Sequence, residues 1–177
     1  MFKAKGVRDM NVTVVTEGLQ FPEGPVALSD GSVLVVEIQR GTLTRVAEDG
    51  TQSIVAELGG GPNGAALGPD GQCYICNNGG FEWHKARDGR VFPGAQPADY
   101  TGGRIERVNL DTGAVETLYE ACEGERLKGP NDLVFDQAGG FWFTDHGKTR
   151  PRTQDQTGVF YAAADGSRIE EVIFPMQ

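Results

Sequence analysis

The sequence predicts an all-β chain built as about three four-stranded blades of a β-propeller. Three observations carry that expectation. Gapless repeats open at Phe21, Gly61 and Gly129, reading "FPEGPVALSDGSVLVVE", "GPNGAALGPDGQCYICN" and "GPNDLVFDQAGGFWFTD". Each repeat sets two short apolar runs around a turn at Asp30-Gly31, Asp70-Gly71 or Ala138-Gly139, and Asp-Gly between apolar runs signals a hairpin. Two more strand-like runs follow in each, turning at Asp49-Gly50, Asp111 to Gly113 and Asp165-Gly166, with no amphipathic helix between them. A sandwich of hairpins is the competing arrangement, but it gives no reason for four-strand units to recur in register.

The elements follow in chain order. Residues 11–17, "NVTVVTE", read as a lone strand. Blade one spans 21–58, blade two 61–122 and blade three 129–177. Inside blade two, residues 77–101 form a long insertion between the second and third strands. Structureless loops of that length are uncommon within a domain. Phe81, Trp83, His84, Phe92 and Tyr100 mark this one as an ordered, lid-like segment that shapes a small-molecule pocket. An excursion that merely packs its rings on the rim is the alternative.

Composition narrows the function. A chain of 177 residues can bury a sizeable core. Its 25 Asp and Glu against 16 Lys and Arg give a net charge of −9. That balance argues against a nucleic-acid surface, which needs clustered cations, and suits a protein holding cations or small neutral ligands. No apolar run approaches the roughly 18 residues of a membrane span, and the first fifteen residues lack the apolar centre of a secretory signal. The cysteines are Cys73, Cys76 and Cys122, and their odd count favours free thiols in the cytoplasm. Cys73 and Cys76 have C-x-x-C spacing, but residues three apart on a strand point to opposite faces, so they read as buried small hydrophobes.

The repeats also locate a mouth. The first strand of each blade starts at Glu23, Asn63 or Asn131, and its partner ends fourteen residues later at Glu37, Asn77 or Asp145. Antiparallel pairing puts both points on one face of the disc. If the first strand is innermost, Glu23, Asn63 and Asn131 converge on the axis. One carboxylate with amide oxygens is a hard donor set, suited to Ca²⁺ or Mg²⁺. The proline before each supplies no competing N–H. Turn capping by each Asn is the bland alternative. The lid leaves from this same face, which also carries Asp145 and His146.

With "FPEGP" at Phe21 to Pro25, "GPNG" at Gly61 to Gly64, "GPNDL" at Gly129 to Leu133, "FWFTDHG" at Phe141 to Gly147 and "TGGRIERVNLDTG", the chain resembles the senescence-marker-protein/gluconolactonase (regucalcin-like) family from about residue 12 onward. The resemblance implies a six-bladed, calcium-dependent lactonase. It implies Glu23 and Asn131 as metal ligands, Asn63 as a substrate contact, and Ca²⁺ as cofactor with Mg²⁺, Mn²⁺ or Zn²⁺ as substitutes. In the implied chemistry the cation polarises a sugar-lactone or related ester carbonyl, and the metal-bound Glu23 carboxylate activates water. His146 is a further candidate base, and Trp83, His84 and Asp145 are candidates at the substrate. The expected partner is a small-molecule lactone, with neither nucleic acid nor membrane.

Two departures stand out. Animal members carry an Arg two residues before the third-blade Asn, where this chain has Gly129. The family's fourth-blade ligand and a later Asp are also absent from this sequence. The chain is therefore expected to form the N-terminal half of a ring, as a fragment of a full-length enzyme or beside a complementing C-terminal half, ahead of a second copy closing head to tail. A non-catalytic half that binds a cation or small ligand is the alternative function. A metal-free relative resembling strictosidine synthase is weaker, because the Glu and Asn column speaks against it.

Overall fold

Strands and turns, with no α-helix among the described residues, make up the computed structural model, which describes residues 12–156 and 158–176. No described helix is therefore long and apolar enough to cross a membrane. Blade one is β1 (Pro22–Ala27), β2 (Val33–Glu37), β3 (Thr42–Val46) and β4 (Gln52–Glu57). Blade two begins with β5 (Pro62–Leu67) and β6 (Cys73–Asn77). The hairpin β7 (Trp83–Lys85) and β8 (Val91–Pro93) interrupts it, and β9 (Arg104–Val108) and β10 (Val115–Tyr119) complete it. A short ribbon, β11 (Ala121–Cys122) with β12 (Glu125–Arg126), leads into blade three, formed by β13 (Pro130–Phe135), β14 (Gly140–Asp145), β15 (Gly158–Ala163) and β16 (Ile169–Ile173). Each blade is an antiparallel four-stranded sheet in chain order, so the all-β, blade-wise reading holds. In blade two this order survives because the β7–β8 hairpin stands outside the sheet and β6 pairs directly with β9.

The inner hairpins repeat one register. Pro22 faces Glu37, Pro62 faces Asn77 and Pro130 faces Asp145. The ladder shifts directly beyond that pair in blades two and three, between Pro62 and Gly64 and between Pro130 and Leu133; in blade one Glu23 first pairs with Val36, and the shift falls between Glu23 and Val26. A bulge re-aims side chains at the point where it falls, and here it takes in Asn63 and Asn131 and begins directly after Glu23. The first strands also neighbour one another, β1 against β5 and β5 against β13. Glycine permits the close approach: a Cβ on Gly24 would meet Ala65 N at 2.6 Å, and one on Gly64 would meet Asn131 O at 2.6 Å.

Apolar side chains fill the two gaps between blades. Leu34, Val36, Leu43, Ala65, Ile75 and Val108 pack between blades one and two, and Tyr74, Ile105, Phe141, Phe143 and Phe160 between blades two and three. Cys73 belongs to the first cluster and Cys76 to the second, so strand alternation separates their thiols, and burial pushes the Cys73 thiol up to about 12. Tyr119 Oη ties the second gap at the outer edge by donating to Ala163 O at 2.6 Å.

The run expected as a strand over 11–17 forms none. Residue 11 lies outside the described residues, and residues 12–17 enter no sheet. Side chains hold the run instead: Thr16 Oγ1 donates to Gly50 O, and Gln52 Nε2 donates to Glu17 O. The run thus rests on the turn before β4 and on Gln52 without supplying a ladder. On the far face of blade three Val134 is 63% exposed and Trp142 38%, with Trp142 and Tyr161 rings 5.0 Å apart.

Candidate functional site

Glu23, Asn63 and Asn131 stand at one mouth on three successive innermost strands. Glu23 is exposed; Asn63 and Asn131 are half-buried. Asn63 Nδ2 donates to Asn131 Oδ1 at 2.6 Å across 68 residues of sequence. Each amide oxygen keeps at least one lone pair free for a further partner. The donors are oxygens only, as a hard cation requires. No cluster of three or more His, Cys, Asp or Glu among the described residues could hold a metal, so a cation here would depend on these amide oxygens.

The column fourteen residues further on faces the same way but is differently engaged. Glu37 is buried, with Oε1 taking the Thr44 hydroxyl at 2.6 Å and an ion pair from Arg40 at 3.1 Å, while Oε2 takes Gln20 N. Asn77 Oδ1 accepts from Gly61 N and Gly79 N, and its Nδ2 donates to Gly59 O and to Glu106 Oε2 at 2.9 Å. Asp145 Oδ1 accepts from Gly129 N at 2.7 Å and Gly147 N at 2.8 Å, and Oδ2 from Lys128 N at 2.8 Å. Each of these side chains braces backbone or polar groups beside its hairpin. Asp145, which the sequence sets at the substrate, therefore has both oxygens already engaged.

The insertion crosses the top face from blade one to blade three. At the blade-one side Trp83 packs on Phe21 with ring centroids 5.1 Å apart, two residues from Glu23. Phe81 lies edge-on to Trp83 at 6.2 Å. At the blade-three side Tyr100 Oη donates to Lys128 O, and Arg126 Nη1 donates to Thr101 O. The β7–β8 pairing turns Trp83 toward its neighbours, while His84, the next residue, faces out opposite Phe92 and is exposed. His146 is also exposed, and its backbone N–H donates to Gly129 O. The structure thus gathers Glu23, Asn63, Asn131 and Trp83 near the mouth, with His84 on the outer side of the lid.

Sequence reasoning missed Lys148. The residue is 4% exposed, with its ammonium 4.4 Å from the Phe81 ring centroid and 5.3 Å from that of Tyr100. It donates to Gly80 O at 2.8 Å and approaches Asn78 Oδ1 at 3.4 Å. The partners lie about 50 to 70 residues upstream, so only the three-dimensional blade order brings them together. A lysine inside "HGKTR" carries no local signal of burial.

Comparison with known proteins places these residues in context. A gluconolactonase from Zymomonas mobilis is 24% identical over 176 residues, an alignment covering 88% of this chain and 43% of that protein. The solved gluconolactonase of Xanthomonas campestris superposes with a TM-score of 0.62 at 21% identity, over 86% of this chain and 47% of that one. The PQQ-bound aldose sugar dehydrogenase of Streptomyces coelicolor reaches 0.59 at 19% identity, over 88% and 48%. The chain thus spans about half the length of the relatives it matches, and one fold serves proteins of different named activities. Residues 21–177, carrying the whole Glu23, Asn63, Asn131 column, match the family described as SMP-30/Gluconolactonase/LRE-like region, and the chain belongs to that family.

Proposed function

We propose that this chain supplies blades one to three of a calcium-dependent hydrolase that opens a sugar lactone or related ester ring. The observation that carries this reading is the setting of Glu23, Asn63 and Asn131 at one mouth on successive innermost strands, with the two amides 2.6 Å apart. Family membership supports a lactonase, and the oxygen-only donor set supports Ca²⁺ in kind. In number, three side chains fall short of its usual six to eight oxygens, so the remaining donors would come from outside this chain, from water or from substrate. Glu23 and Asn131 would hold the ion, which would supply Lewis-acid polarisation of the ester carbonyl.

The chain's own residues have separable tasks in this reading. Glu23, the only carboxylate of the column, would take a proton from the attacking water. His146 is the second candidate base, exposed at the end of β14. The Asn63 amide would orient a substrate hydroxyl, and Trp83 would lie against the sugar ring at the blade-one side. A cytoplasmic setting, consistent with three buried free thiols, belongs to the same reading.

One observation favours a second reading. The exposed apolar face of blade three, with Val134 and Trp142, suits a non-catalytic half that binds a cation or ligand only alongside a complementing half or a second copy. Calorimetric titration with Ca²⁺ and a lactone-hydrolysis assay test both readings. The lactonase reading expects Ca²⁺ binding and turnover in the native chain or the chain plus its complement, and loss of both in Glu23→Gln. Turnover unchanged in Glu23→Gln would sink it. Calcium binding without turnover in either preparation would select the non-catalytic half.

A further inference from the structure

Lys148 is the only buried Lys or Arg among the described residues, and it forms no ion pair there. The carboxylates that face it are committed elsewhere. Asp145 takes three backbone N–H groups, and Asp155 takes both Arg150 nitrogens and the Lys148 N–H. Burying an ammonium without a carboxylate is costly, and an apolar residue of similar volume would fill the space more cheaply. Among the described residues the lid provides the hydrogen-bond acceptors and rings nearest the ammonium, namely the Gly80 carbonyl, the Asn78 amide and the faces of Phe81 and Tyr100, while Asp145 and Asp155 act on it through charge alone. Asn78 is itself 3% exposed, and its Nδ2 has no partner among the described residues.

We infer that Lys148 is a positioning residue that docks the lid, residues 78–101, onto blade three and so holds Phe81 and Trp83 over the mouth. This deepens the reading of the top face as a ligand mouth, though it does not require that the ligand be a lactone. The same contacts make docking depend on charge. With the lid docked, burial lowers the Lys148 pKa from the ordinary lysine range to about 8; with the lid lifted, water restores it. The lid-docked state therefore binds fewer protons, and docking strengthens as pH rises through about 8. Tyr100, Asp155, Arg150 and Asp145 also face Lys148, and the shifts of the first three carry them away from that window. Burial pushes the Tyr100 phenol up to about 12, Arg150 holds Asp155 below the usual carboxylate range, Arg150 itself is raised by Asp155, and Asp145 accepts from three backbone N–H groups.

Amide hydrogen exchange on the whole chain tests the inference. In Lys148→Ala the amides of residues 79–101 should exchange about tenfold faster, while those of β2 and β3 keep their native rates. Unchanged lid exchange, or equal acceleration in the lid and in β2 and β3, overturns it. In native protein, after correction for intrinsic exchange, lid protection should rise between pH 7.5 and 9.5 by about tenfold. In Lys148→Met, which keeps the stem but not the charge, that rise should vanish. A flat native profile, or a rise retained in Lys148→Met, counts against Lys148. Absence of lactone turnover in the native protein would sink the proposed function alone, since exchange is read without substrate.

Discussion

Two columns of polar residues lie on the same face of the same three hairpins, and they do different work. Glu37, Asn77 and Asp145 are buried and fully engaged; Glu23, Asn63 and Asn131 are exposed or half-buried and share one hydrogen bond between two of them. The residue types are nearly the same in both columns. What separates them is position: the brace column ends the second strand, under the turns that feed the next elements, while the mouth column starts the strand nearest the axis, where the ladder skips Asn63 and Asn131 and shifts directly after Glu23. Carboxylate and amide chemistry alone therefore does not mark a site. The informative feature is a polar side chain whose acceptors the fold leaves open.

The sharpest way to break the comparison is to exchange brace residues between blades. Asp145 must accept, because Lys128 N–H points at its Oδ2; Asn77 must donate, because Glu106 Oε2 lies 2.9 Å from its Nδ2. Asp145→Asn sets an amide N–H₂ against an N–H donor, and Asn77→Asp sets a carboxylate against the Glu106 carboxylate. Each should cost about 2 kcal/mol in denaturant unfolding, and Asp145→Ala about 3 kcal/mol, since it strands one buried and two part-buried N–H groups. Glu23→Gln, by contrast, should shift stability by less than about 0.5 kcal/mol. A Glu23 variant as destabilised as the Asp145 variants would place Glu23 in the framework and remove the distinction.

The repeats made the blades legible, because Asp-Gly turns and strand alternation are local signals. They also carried the mouth column, since its Pro-Glu or Pro-Asn pairs recur at fixed offsets. The division of labour was not legible. Asp145 next to His146 looks like a site in sequence, yet its partners are the N–H groups of Lys128, Gly129 and Gly147, and backbone direction is not written in residue type. Nor could the separate fates of Trp83 and His84 be read before the register of β7 on β8 was known. The run 11–17 illustrates the converse failure: its alternating valines have strand propensity, but no described strand runs beside residues 12–17 to complete a ladder.

Blade three offers a second contrast, between its covered and uncovered faces. Phe141 and Phe143 are buried against blade two, whereas Val134 and Trp142 stand exposed on the opposite face. Val134→Lys together with Trp142→Ser should leave stability within about 1 kcal/mol, since little covered area is lost. The same double variant should shift light-scattering mass toward the single chain of 19.0 kDa if that face mediates association. A native mass already equal to one chain, unchanged in the variant, would show that the face is not used by a second copy.

The smallest effect lies inside the mouth column itself. Asn63 and Asn131 share one half-buried hydrogen bond of 2.6 Å, so each Ala substitution should cost about 0.5–1 kcal/mol. A double-mutant cycle should return a coupling of about 0.5 kcal/mol without added cation. With saturating Ca²⁺ the cycle discriminates between the two roles open to Asn131 Oδ1. If that oxygen binds the ion, Asn131→Ala loses the ligand-derived stabilisation while Asn63→Ala largely keeps it, and the two single variants separate. If the pair only caps the strand starts, Ca²⁺ leaves all four corners of the cycle where they were. The brace column provides the internal standard, since substitutions at Asn77 should respond to Ca²⁺ no differently from the native chain.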